Sequence, residues 1–188
     1  SESSLFYNPD KMPEFEMKQN IDLEGLAEFK DILANRPAQT NLPYFLEQFG
    51  KFTFKFLLDF GSYRDIQRHR SGVILMPLLT TKFGFHPWYL EQLTPSLREK
   101  AQILIEELGE KVNKLPVSDY DKQYYLPMGF RIPISPTFGL PAAIYVSELR
   151  SGITVHPTLR VEAQKMGKAL KAAIPELAVH IDESLGDW

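Results

Sequence analysis

From Phe52 to Leu58 the chain reads Phe-Thr-Phe-Lys-Phe-Leu-Leu. Three phenylalanines alternate with Thr53, Lys55 and Leu57, the period of two that places one face of a strand in a core. Gly61 and Ser62 break the alternation, and a serine at that point can accept a backbone N–H and cap a helix. The following residues, Tyr63 to Arg70, predict a short helix that stops before Gly72. A strand that turns directly into a helix commits the chain to an α/β arrangement and puts Arg68-His69-Arg70 at the helix C-terminus. Cations are favoured there by the helix dipole, so plain capping on a solvated face would account for the tripeptide. Yet residues two apart lie about 200° apart around a helix. If the helix runs through Arg70, one of the two arginines faces packed protein, a ligand or another subunit.

The rest of the chain supplies enough material for one core. It has 188 residues, 44% hydrophobic and 24% charged, with a net charge of −3, the values of an ordinary globular protein without the basic footprint of a nucleic-acid binder. Cysteine is absent, which excludes disulfides, cysteine-ligated zinc and a cysteine nucleophile. No apolar run approaches the ~18 residues of a membrane span, and no leader pattern is visible. No membrane partner and a cytoplasmic location are therefore expected. The chain begins with Ser1 rather than methionine, as a segment of something longer would.

Residues 1–20 are poor in apolar side chains and read as an extended arm or linker, leaving 21–188 as a single domain. Asp22 caps a rough helical stripe through Leu33. Tyr44 to Gln48 reads as a helical turn leading into the strand. Val73 to Leu79 is apolar with Pro77 inside it, which admits either a buried strand or a kinked helix. Thr94-Pro95 opens a long amphipathic helix in which Leu97, Ala101, Leu104, Leu108 and Val112 form a stripe expected to pack in the core, across the sheet. Tyr124 to Ile134 is strand-like. Pro141 to Arg150 is a further helix, and His156-Pro157 opens the last, with Leu159, Ala163, Met166 and Leu170 inward. An acidic surface tail follows.

Chemical motifs are sparse. His69, His86, His156 and His180 show no metal-ligand spacing, so no metal site is expected. No phosphate-binding glycine loop and no Gly-x-Ser-x-Gly elbow occur. Asp119 and Asp121 read as a solvated loop rather than an acid–base pair.

One pattern does stand out. Phe52-Thr53-Phe54, thirteen residues, then Arg68-His69-Arg70 resembles the flavin-dependent thymidylate synthases of the ThyX type. Glu47 ahead of the strand, Leu126-Pro127, and Leu149-Arg150 followed by Arg160 fall in the family's order, so the resemblance spans about residues 43–175. It implies an α/β fold with an antiparallel or mixed sheet packed against helices, and a homo-oligomer, dimer or tetramer. It also implies a nucleotide-type ligand of the dUMP class, FAD as cofactor, and reductive methylation of dUMP to dTMP. Carried over residue by residue, it makes Arg68, His69, Arg70 and Glu47 cofactor-binding and Arg150 and Arg64 substrate-binding, with no catalytic residue assigned. After Arg70 the family carries a polar loop. Here the matching positions are Val73, Leu75, Met76, Leu78, Thr80 and Thr81, and Asp65 and Gln123 replace a family glutamine and arginine. The alternative expectation is therefore a domain that binds or scaffolds without catalysis.

Overall fold

The protein is described here by a computed structural model covering residue 10 and residues 12–184. Parts of the expected arm (residues 1–9 and 11) and of the expected tail (residues 185–188) lie outside the described residues.

Among the described residues four strands form one antiparallel sheet in the order β1-β2-β4-β3. They are β1 (Phe15–Ile21), β2 (Gly50–Asp59), β3 (Gly72–Leu75) and β4 (Arg131–Gly139). Between β1 and β2 lie two short helices, α1 (Leu23–Ala27) and α2 (Lys30–Ala34), and a 3₁₀ segment, Tyr44–Phe49. Asp22 caps α1 by accepting the Gly25 N–H. Helix α3 (Phe60–Ile66) follows β2; α4 (Pro87–Glu91), α5 (Pro95–Asn113) and α6 (Asp119–Lys122) lie between β3 and β4. The chain closes with α7 (Leu140–Arg150) and α8 (Pro157–Ala173). The fold is thus α/β with an antiparallel sheet against helices, as expected.

The alternation in β2 does what its period requires. Phe52, Phe54, Phe56 and Leu58 are all fully buried. Register places Phe52 opposite Phe138 and Phe56 opposite Ile134, so both inner strands present large apolar groups to one side. Helices α7 and α8 cover that side with Leu140, Ala143, Ile144, Leu159, Ala163 and Met166. Each fully buried side chain of this size contributes about 1.5–3 kcal/mol. On the opposite face Thr53 and Thr137 exchange a 2.9 Å hydroxyl hydrogen bond, and Lys55 approaches Glu16.

Several expectations change. Residues 15–21 are extended but are no free arm, since they pair with β2 from Phe15↔Phe56 to Ile21↔Gly50. Helix α3 is capped by Asp59, which accepts the Ser62 N–H at 3.0 Å, and not by Ser62. It therefore starts three residues early and ends at Ile66, leaving Arg68-His69-Arg70 in the turn beyond it. Val73 to Leu79 is only in part a core segment: Leu79 is buried and Ile74 and Met76 pack against the core, while Val73, Leu75 and Leu78 are exposed on and after the edge strand β3. It is α7 and α8 that pack across the sheet, while the principal neighbour of α5 is α4. The acidic tail lies at the surface in part and is also fastened there: Leu177 is fully buried, and Arg160 bonds to Ser184 and Asp182.

Both His-Pro sequences open helices by one device, the imidazole Nδ1 accepting a backbone N–H two residues on. His86 takes that of Trp88 and His156 that of Thr158. Among the described residues no helix is long and apolar enough to cross a membrane.

Gly50 is required where β2 begins. Its φ is +124°, and a Cβ there would stand 1.9 Å from the Asn20 carbonyl oxygen. Gly50→Ala is expected to cost at least about 2 kcal/mol, through backbone strain and displacement of β1. A urea midpoint unchanged from the parent chain would contradict that.

Candidate functional site

The turn after α3 brings the Arg-His-Arg tripeptide beside the C-terminal end of α7. His69 is the member that turns inward. Its Nε2 accepts a hydrogen bond from Arg150 Nε at 2.9 Å, so its proton sits on Nδ1. Arg150 Nη2 donates in turn to the Asp65 carbonyl at 3.0 Å. The His69 ring also meets the ring of Tyr145 edge to face, centroids 6.4 Å apart.

Tyr145 leads into a cleft of about 370 Å³. Its walls are the segment around Asn41, Tyr44 and Glu47, the Ser71 backbone turn, and the first turn of α7 at Pro141 and Ala142. Three parts of the sequence meet there for physical reasons. Gly139 has no side chain, and a Cβ in its place would lie 2.5 Å from Glu47 Cγ, so the glycine lets the 3₁₀ segment close over the end of β4. No side chain caps α7, whose first turn carries a proline and faces the cleft. Uncapped first-turn amides attract anions. Glu47 is half-buried and takes the Tyr44 hydroxyl hydrogen bond, which raises the Tyr44 pKa above its usual value.

Of the residues singled out in the sequence, Glu47 lines this cleft; His69 adjoins it through its ring contact with Tyr145 and holds Arg150 behind it, and Arg70 precedes the lining residue Ser71 in the chain. Arg70 is exposed and, among the described residues, makes no hydrogen bond or ion pair. Arg68 projects into solvent, 68% exposed, with only a 3.9 Å approach to Asp65, an exposed pair of little energetic weight. Arg64 lies against Met128, its Nη1 3.6 Å from the sulfur, and lines no described cavity. Glu148 is bound to Arg36 and pairs with none of these arginines. The divergence of Arg68 and Arg70 expected from a continuous helix does not arise, because the helix has ended; both are exposed and the histidine between them is not. Tyr44, Asn41, Ser71 and Tyr145 carried no sequence signal of their own. They are brought to the cleft by the fold. Two further cavities, of about 290 and 500 Å³, lie under α1 and along α5, and none of the expected cofactor- or substrate-binding residues lines them.

Burial chiefly, and Arg150 next, lower the His69 pKa, against an upward pull from Asp65. The unfolded chain therefore takes up a proton near pH 6.5 before the folded one does. The His69–Arg150 contact contributes stability that is complete above about pH 6.5 and is lost as pH falls below it. An NMR titration is expected to show the His69 ring titrating below the free imidazole value. An unshifted or raised midpoint would contradict the acceptor role at Nε2.

Among known proteins, no family model matches the chain. Over 156 residues, 81% of the chain, it is 30% identical to a UPF0159 protein of Thermoplasma acidophilum, covering 30% of that protein. Over 115 residues it is 31% identical to a UPF0159 protein of Chlamydia pneumoniae, covering 21% of it, and over 120 residues 30% identical to one of Chlamydia muridarum, covering 22%. The chain spans less than a third of the length of these curated relatives. The comparisons correct the expected resemblance to the flavin-dependent thymidylate synthases, since the matching relatives are named UPF0159 proteins instead. The physical reason is that the resemblance rested on short motifs. Arg-His-Arg lies in a turn outside the helix that was to carry it, and the polar loop that should follow is a partly exposed apolar edge strand.

Proposed function

We propose that the cleft between Glu47, Ser71 and the start of α7 binds a phosphate-bearing small molecule of the mononucleotide type, and that the chain acts as a binding module. The observation that carries this reading is the pairing of opposite chemistries across one cavity. At one side stands the uncapped first turn of α7, and the exposed, unpartnered Arg70, the chain neighbour of the lining residue Ser71, is available to reach a phosphate there. At another stands the Glu47 carboxylate, an acceptor for sugar hydroxyls, with Tyr44 and Tyr145 offering aromatic surface for a base. A bare phosphate has no use for the carboxylate, and a cationic ligand none for the arginine. A nucleoside monophosphate uses both.

The volume supports a mononucleotide and speaks against whole FAD. A cleft of about 370 Å³ is at the small end of the ~300–1,000 Å³ range for ligand pockets. FAD joins two nucleotides through a pyrophosphate and outsizes it, so no step is derived through flavin. A cytoplasmic setting, where such nucleotides abound, accords with this reading. A homo-oligomer is part of it too, with the exposed Arg68, held only by a 3.9 Å approach to Asp65, available to a second subunit's ligand or carboxylate.

Calorimetric titration with dUMP and with AMP tests the reading. One of them is expected to bind at micromolar strength, and Arg70→Ala to weaken it roughly 10- to 100-fold, the worth of one charge-assisted hydrogen bond. Absence of heat with both nucleotides, or full affinity in Arg70→Ala, would overturn it.

A further inference from the structure

Helix α5 is nineteen residues long, about 28 Å at 1.5 Å per residue. Only Gly109 and Val112 of it are buried. Leu97 is 52% exposed and Leu104 65%, while Ala101 and Leu108 are partly buried, Leu108 with one side against the core. These four lie at steps of four, three and four, one stripe along the helix. Gly109 and Val112, with Ile105, turn the neighbouring face to the rest of the chain. A long helix that leaves the centre of its apolar stripe in water is half of a packing arrangement.

We propose that α5 packs antiparallel against α5 of a second copy of this chain, across a two-fold axis. The stripe complements itself in that orientation. With Leu97 set opposite Leu108 of the second copy, Ala101 falls opposite its Leu104, and the two-fold repeats both contacts. All four side chains are used, and the small Ala101 in the middle leaves room for Leu104. The charges beside the stripe select the direction. Lys100 and Glu107 flank it one heptad apart. Antiparallel helices bring Lys100 of each copy to Glu107 of the other, twice over. In parallel helices Lys100 and Glu107 of one copy would instead face Ile105 and Val112 of the other and find no opposite charge. The contact Glu107 already makes, to Lys111 at 3.7 Å, is between exposed groups and easily exchanged. An isologous contact of this kind closes at two copies and needs no other partner. It shares no residue with the nucleotide cleft, so it stands or fails independently of that reading.

Sedimentation equilibrium on the 188-residue chain tests it, over concentrations up to the millimolar range. The parent chain is expected to dimerise, and Leu104→Glu to be monomeric with an unchanged circular dichroism spectrum, because residue 104 contacts little in its own chain. Lys100→Glu alone and Glu107→Lys alone are each expected to weaken the dimer roughly tenfold. Mixed, the two variants should pair with each other at least as well as the parent pairs with itself. The chain has no cysteine, so Ala101→Cys mixed with Leu104→Cys reads the register directly, as a disulfide-linked heterodimer. A parent chain that stays monomeric, a dimer that Leu104→Glu leaves intact, or charge variants that fail to complement each other would each overturn the proposal. Should Leu104→Glu lose its fold, the charge variants decide alone, since both positions are solvent-exposed.

Discussion

Replacing Glu148 by leucine is expected to destabilise the fold by about 3–5 kcal/mol, the cost of leaving a buried partner charge uncompensated. Arg36 and Glu148 are both 2% exposed in their side chains and form an ion pair. The carboxylate also receives the backbone N–H groups of Gln39 at 3.2 Å and His180 at 2.8 Å. The guanidinium donates to the carbonyls of Thr40 and Ala178, at 2.6 and 3.0 Å. One ion pair therefore holds three distant pieces together: the loop after α2, helix α7 and the C-terminal strap. Removing the carboxylate leaves the arginine charged in a dry site and two backbone donors without their acceptor. The double replacement Arg36→Met with Glu148→Leu is expected to recover only the part of the loss due to the unpaired charge, because the backbone groups of Gln39, His180, Thr40 and Ala178 still lack their partners. Urea unfolding of the single and double variants gives the cycle. A single variant within about 1 kcal/mol of the parent would contradict the buried pairing.

Phe54→Ala is expected to cost about 3–5 kcal/mol, the usual loss for a phenylalanine removed from a rigid core. Phe54 is fully buried at the centre of β2, between Phe52 and Phe56, and its ring stands 6.3 Å from that of Phe15 on β1. Helices α7 and α8 hold the far side of the sheet core in place, so the cavity cannot collapse without moving them. Thr53→Ala, on the opposite face, removes one hydroxyl hydrogen bond to Thr137 and is expected to cost only about 1 kcal/mol. Equal losses in the two variants would mean that the alternation in β2 does not divide core from surface.

That alternation is why the central strand was legible in the sequence. It needs no partner to be seen, because every second side chain shares a face whatever lies opposite. The His156-Pro157 helix start was legible for a similar reason: its cap, its proline and its apolar stripe all lie within one segment. Other features depend on distant residues. Phe15, Met17 and Ile21 alternate in β1, but Gln19 interrupts them, and only the pairing with β2 makes the segment a strand. Asp59 and Ser62 are both good helix caps, and choosing the wrong one moved the expected helix three residues toward Arg70. The stripe on α5 was read correctly as a stripe, but a period does not say which surface it meets. Arg36 and Glu148 are 112 residues apart, beyond the reach of any local pattern. The cleft shares that difficulty. Glu47 could be singled out as a residue, whereas Ser71 and Tyr145 join it only once the sheet has formed.

The central claim is that this cleft receives a mononucleotide, and amide chemical shifts recorded during a titration with dUMP or AMP test it most directly. The account predicts saturable shifts at Asn41, Ser71, Ala142 and Tyr145, with none along the exposed face of α5. Shifts confined to other parts of the chain, or none at millimolar nucleotide, would contradict it.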